Sequence, residues 1–147
     1  MRPPGLFEDF IRDGVVKRVS SNKGRAMSIL AESERRMHSL AEQTGKIGIR
    51  NENANDYVEY CYDIIMHLVR AGMYLEGYSA AGQGAHEAEV SFLRKLGLDE
   101  KAVQFANQMR YFRNGILYYG TALDREYAEK VVGFTRELYP RLKELLS

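Results

Sequence analysis

The sequence predicts an all-α protein, an antiparallel up-down four-helix bundle with one or two short extra helices. Three observations carry this. Apolar residues recur at spacings of three and four in four long segments, which is the period of one helix face. Glycines and cap-forming residues fall between those segments, and only 3 prolines occur. No alternation of strand length and no long internal repeat is visible.

Leu6 to Arg12 reads as a short helix closed by Asp13-Gly14. A long helix starts after Ser20-Ser21-Asn22 and turns Ala26, Ile29, Leu30, Met37, Leu40 and Ala41 inward. Thr44-Gly45 ends it, and Ile47 to Asn53 reads as loop. Asn53 or Asn55 caps the next helix, with Asp56 in its first turn. Its stripe is Tyr57, Cys61, Ile64, Ile65, Leu68, Gly72 and Leu75. The glycine-rich stretch Gly77 to Gly84 breaks the pattern, and His86 to Leu96 is a short helix stopped by Gly97.

Asp99 caps a third long helix, with Ala102, Phe105, Ala106, Met109, Phe112 and Ile116 as its stripe and Gly120 as its stop. Thr121 with Asp124 resembles a capping box. The last helix turns Tyr127, Val131, Phe134, Leu138, Leu142 and Leu145 inward, and Pro140 is expected to kink it.

A length of 147 residues fits one domain, 1–147, with a core of its own. Lys plus Arg number 21 and Asp plus Glu 20, so global charge argues neither for nucleic acid nor for an anionic membrane, and any anion site must be local. The single cysteine, Cys61, cannot form an internal disulfide and lies on an apolar stripe as a core residue. No apolar run resembles a signal peptide or a membrane span, so the chain is expected in the cytoplasm with no membrane partner.

Several chemistries lack their residues. There is no phosphate loop of the Walker type, and Gly82-Gln83-Gly84-Ala85 lacks the strand and third glycine of a dinucleotide site. His86-Glu87-Ala88-Glu89 lacks the second histidine of a zinc protease. Asp63 and His67 share a helix face, yet two ligands are too few for a metal, and a helix-surface polar pair is the better reading. No serine or cysteine has an activating partner. No cofactor is expected.

One segment is chemically distinctive. Lys101 to Gly120 carries Lys101, Arg110 and Arg113, no Asp or Glu, and the tyrosines Tyr111, Tyr118 and Tyr119. Arginines hold phosphate and tyrosines stack on bases. Arg110, Asn114 and Tyr118 follow an i, i+4, i+8 row, with Arg113 at its edge. Arg113 and Tyr118 stand about 140° apart on an ideal helix, so they converge only if the helix deforms near Gly115 or if two chains share a cleft. The alternative reading gives Arg113 and Asn114 to the helix end and the tyrosines to packing.

The order of three features resembles the HEPN family (higher eukaryotes and prokaryotes nucleotide-binding), small stand-alone archaeal and bacterial type, over about residues 18–146. They are Tyr57-Val58-Glu59-Tyr60-Cys61-Tyr62 with Leu75-Glu76-Gly77-Tyr78, then His86-Glu87-Ala88-Glu89 with Phe92-Leu93, then Arg110-Tyr111-Phe112-Arg113-Asn114 with Tyr118. The resemblance implies a helical bundle that pairs as a homodimer with both motifs lining one cleft. Many members are metal-independent ribonucleases, often toxins paired with a nucleotidyltransferase. Their motif is Arg, commonly followed by Asn, and then His after roughly four to six residues. It implies that Arg113 contacts phosphate and that Asn114 orients the site or bonds to a base or ribose.

Here the positions open to that histidine are Tyr118, Tyr119 and Gly120. Histidine, with a pKa of about 6.5, exchanges protons at neutral pH, whereas tyrosine, at about 10, is a poor base. The expectation is therefore binding of RNA or a nucleotide with weak or no nuclease activity, through Arg113, Asn114, Tyr118, Arg110 and Tyr119. His86 is a secondary candidate. The alternatives are an interaction module that partners a nucleotidyltransferase, and an active ribonuclease using His86 or a tyrosine with a lowered pKa for proton transfer.

Overall fold

The computed structural model describes residues 1–147. The elements run α1 (Phe7–Arg12), β1 (Val16–Arg18), α2 (Lys23–Lys46), α3 (Ala54–Glu76), β2 (Tyr78–Ala80), α4 (Ala85–Ser91), α5 (Glu100–Tyr119) and α6 (Arg125–Leu146). Short 3-10 turns occupy Asn51–Asn53 and Phe92–Arg94. The fold is mostly helical, and no helix is long and apolar enough to cross a membrane.

α3 is the centre of the molecule. Its predicted stripe is buried from Tyr57 to Gly72, with Leu75 partly covered, but Val58, Tyr62, Met66, Val69 and Met73 are buried as well. A helix that is apolar on nearly all sides must be surrounded, and α2, α5 and α6 all pack on it. α2 runs antiparallel to α3: the Asn22 N–H donates to the Tyr74 carbonyl (2.9 Å), and Arg36, further along α2, lies 5.5 Å over the Tyr60 ring. α6 is antiparallel to α2, because Arg136 donates to Thr44 (2.7 Å) while Lys143 donates to Glu34 (2.6 Å). α5 is antiparallel to α6 through Phe105–Phe134 (centroids 4.6 Å) and Phe112–Tyr127 (5.0 Å).

The caps follow chemistry where they are local. The Asp99 oxygen accepts from the Ala102 N–H as expected, and the Asn22 oxygen accepts from the Arg25 N–H at the start of α2. Elsewhere the cap moves. Asp124 itself caps α6 by accepting from the Tyr127 N–H (2.8 Å), so Thr121 and Asp124 form no box. Asn53 precedes α3, but its side chain closes the preceding turn, accepting from the Arg50 N–H and donating to the Gly48 carbonyl. Asn55 instead ties α3 to the α5–α6 connection, donating to the Thr121 carbonyl and accepting from the Leu123 N–H.

Other expectations shift by small amounts. α2 continues past Thr44-Gly45 to Lys46, leaving Ala41 exposed. α4 is shorter than expected and tightens into the 3-10 turn at Phe92. α6 is continuous through Pro140, and Leu138, Leu142 and Leu146 face the core while Leu145 is exposed. Phe112 and Ile116 are only half-buried.

The two short strands were not expected. β1 and β2 pair antiparallel, with Lys17 opposite Ser79. Three residues are too few to show an alternation, and the partner strand lies beyond two helices. Gly77 makes the pairing possible. Its φ is +83°, and a Cβ there would lie 2.6 Å from the Val19 carbonyl oxygen, which accepts no such contact. The Gly77 carbonyl in turn accepts from the Val19 N–H (2.9 Å).

Candidate anion-binding site

The buried positions of α5 end at Met109. From Arg110 to Tyr119 every residue is half-buried or exposed, so this half of the helix contributes a face and an end to the surface. Tyr118 is 75% exposed and Tyr119 85%.

Arg113 leans back onto α3. Its guanidinium carbon lies 5.3 Å from the centre of the Tyr62 ring. Its Nη2 is 3.7 Å from Asp63 Oδ1, a pairing too long for a hydrogen bond. Its Nε is buried without a partner. Asp63 is shared, since its other oxygen is 3.9 Å from Nη1 of Arg36 on α2. Two cations therefore sit loosely around one carboxylate, and neither is hydrogen-bonded to it.

Tyr62 beneath them is 2% exposed, and its hydroxyl has no partner. Burial raises its pKa far above the ordinary range, and the charge of Glu89 adds to this, while Arg110, Arg113 and Arg70 oppose it. Tyr62 is thus a neutral phenol at any ordinary pH and no proton acceptor. Arg70 lies about two helical turns further along α3 and grips the buried Glu89 with two hydrogen bonds, 2.7 and 3.2 Å. That bond raises the Arg70 pKa.

The sequence candidates separate into groups. Arg113 lies over Tyr62, and the positive charge of Arg110 is felt at the same phenol. Arg110 is held by its own helix, its Nε donating to Asn107 Oδ1 (2.9 Å). Asn114 and Tyr119 line a different feature, a cleft of about 400 Å³ shared with Tyr111, Phe112, Gly115 and Thr121. Tyr118 stands in solvent outside that lining. The row Arg110, Asn114, Tyr118 therefore does not line one groove within a single chain. The helix stays regular through Gly115, so no local deformation closes the angular gap between Arg113 and Tyr118.

His86 lies on α4 with Nδ1 3.3 Å from Glu89 Oε1, so it is tied to the Arg70–Glu89 pair and not to the α5 helix end. Asp63 and His67 are linked differently from the expected side-chain pair. His67 Nδ1 lies 2.6 Å from the Asp63 main-chain carbonyl, which can only accept, so Nδ1 carries the proton. The Asp63 carboxylate is left to the arginines. No group of three or more His, Cys, Asp or Glu side chains comes together as a metal set. Cys61 is buried on α3.

Sequence reasoning missed Tyr62, Arg36, Arg70, Glu89 and Asn107 as parts of this region. Asn107 stands three residues before Arg110, a spacing that marks helix neighbours. Arg36 reaches Asp63 only through the packing of α2 on α3 and had no local signal.

Comparison with protein-family models, with curated protein sequences and with solved structures finds no match for this chain.

Proposed function

We propose that the protein binds RNA or a nucleotide, with Arg113 and Arg110 contacting phosphate and Tyr118 and Tyr119 stacking on bases, and with weak or no nuclease activity. The observation that carries this reading is the state of Arg113. It is fixed over an aromatic ring, has no hydrogen bond, and faces a carboxylate at 3.7 Å that it must share with Arg36. A phosphate offers shorter, bidentate hydrogen bonds of about 2.7–2.9 Å to such a guanidinium. Exposed tyrosines at the end of the same helix supply sequence-tolerant stacking surfaces.

The weak catalytic side follows from residue types. Tyrosine stands where the HEPN motif has histidine, and the buried Tyr62 is held neutral. The resemblance to HEPN proteins belongs to this reading. So does an up-down arrangement of α2, α3, α5 and α6, which the antiparallel α2–α3, α2–α6 and α5–α6 pairs support. We place the protein in the cytoplasm.

A second reading draws on the same helix end. Tyr111, Leu117, Tyr118 and Tyr119 are large, exposed and adjacent, which suits a protein contact. A homodimer through this end would bring the Tyr118 of one copy toward the Arg113 of another, and a nucleotidyltransferase is the alternative occupant. Fluorescence anisotropy with a labelled single-stranded RNA at low salt tests the first reading. Arg113→Ala is expected to weaken binding about tenfold, the scale of a lost charge-assisted contact. Light scattering at micromolar concentration tests the second, with a monomer counting against the homodimer.

A further inference from the structure

Asn107 is the buried polar side chain of α5, 1% exposed, and both ends of its amide are used. Oδ1 accepts from Arg110 Nε at 2.9 Å. Nδ2 donates to the Arg2 main-chain carbonyl at 3.2 Å. The rest of the N-terminal segment is held the same way. Gln104 donates to the Met1 carbonyl (3.0 Å), and Arg94 donates to the Pro4 and Gly5 carbonyls (2.8 and 2.7 Å). The Gly5 N–H donates to Glu87 (2.9 Å). Pro3 and Pro4 have no N–H to satisfy, so the strap is read mainly through its carbonyls.

These partners force the orientation of the amide. Arg110 Nε can only donate and the Arg2 carbonyl can only accept, so the Asn107 oxygen must face Arg110 and its nitrogen must face the strap. A flipped amide would set donor against donor on one side and acceptor against acceptor on the other.

We propose that Asn107 is a positioning residue for Arg110. The main chain of the N-terminal strap holds the amide from one side, and the amide fixes the Arg110 guanidinium from the other. For function this rests on the phosphate reading above: Arg110 meets its ligand already oriented and loses less freedom on binding.

The test is a double-mutant cycle read by RNA anisotropy at low salt, using Asn107→Leu and Arg110→Ala singly and together in the full chain. Asn107→Leu is expected to weaken binding about threefold, the scale of one hydrogen bond, in the presence of Arg110. It is expected to have no effect on the Arg110→Ala background. Equal effects on both backgrounds, or none on either, overturn the proposal.

A second measurement needs no variant. Hydrogen exchange of the Arg110 Nε–H, followed by nitrogen NMR, is expected to be slower than that of the exposed Arg141. Equal rates overturn the proposal. The two readings fail separately. If Arg113→Ala leaves affinity unchanged, the phosphate reading falls, and the Arg110 exchange rate still decides the role of Asn107. If Arg113→Ala weakens binding but the cycle shows no coupling, only the role of Asn107 falls.

Discussion

Arg113 rests over the ring of Tyr62, its guanidinium carbon 5.3 Å from the ring centre, and its buried Nε has no hydrogen-bond partner. An arginine that is oriented yet unspent in this way is suited to a ligand. The carboxylate that competes for it, Asp63, is 40% exposed at its side chain and lies at 3.7 Å, so its hold is weak and screened by solvent.

Removing that competitor tests its role. Asp63→Asn keeps the shape of the side chain and releases Arg113 and Arg36 from a shared negative charge. RNA affinity is expected to rise about threefold at low salt, with the gain shrinking as salt screens the site. Anisotropy titrations at two ionic strengths check it. A fall in affinity would mean that Asp63 orients Arg113 instead of competing for it.

The exposed tyrosines should matter for bases and not for phosphate. Tyr118→Ala with Tyr119→Ala is expected to weaken single-stranded RNA binding about tenfold or more, given roughly 1–3 kcal/mol per stacked base. Competition by inorganic phosphate at Arg113 should be unchanged. Equal losses for both ligands would place the tyrosines in the fold of the helix end.

How much of this was legible in the sequence depends on whether a feature is local. Asp99 and Gly120 act within a few residues of their own position, and each lies where the sequence put it. The α5 segment stood out by composition, and one of its arginines, Arg113, lies over Tyr62. What was not legible comes from packing between distant segments. β1 and β2 pair across two helices, Arg36 meets Asp63 across a helix interface, and Asn107 bonds to the Arg2 carbonyl more than a hundred residues away in sequence. Periodicity sets Arg110, Asn114 and Tyr118 in one row, but it gives angles on one helix and does not tell which neighbours fill each side: Arg110 bonds to Asn107, Asn114 lines the cleft at the helix end, and Tyr118 is exposed.

Gly77 gives a stability prediction. With φ at +83° and the Val19 oxygen 2.6 Å from a would-be Cβ, Gly77→Ala adds both backbone strain and a clash with main chain. A loss of about 2–3 kcal/mol is expected, visible as a fall in Tm. Gly14→Ala also has positive φ but meets nothing within 4 Å, and it should cost less. Equal losses would remove the contact with Val19 from the account.

Cys61 gives a pH dependence with a definite sign. Burial pushes its thiol from 9.0 up to about 11, partly opposed by the neighbouring Thr135 and the charge of Arg136. A group whose folded pKa is raised contributes fully below its unfolded pKa and loses that contribution as pH rises through the folded one. Its contribution, of order 2–3 kcal/mol at most, therefore fades between about pH 9 and 11. Denaturant titrations should show Cys61→Ala losing less stability than the parent over that interval. Parallel curves would contradict the assignment. Thiol reagents at pH 8 should modify Cys61 only after unfolding.

The central claim is that Arg113 holds phosphate, and one comparison tests it most directly. Binding of a labelled single-stranded RNA is measured at a series of salt concentrations for the parent chain and for Arg113→Ala, with Tm recorded for both. The account predicts an affinity loss of about tenfold, a salt slope reduced by about one, and a nearly unchanged Tm. Unchanged affinity and slope in a folded Arg113→Ala protein would contradict it.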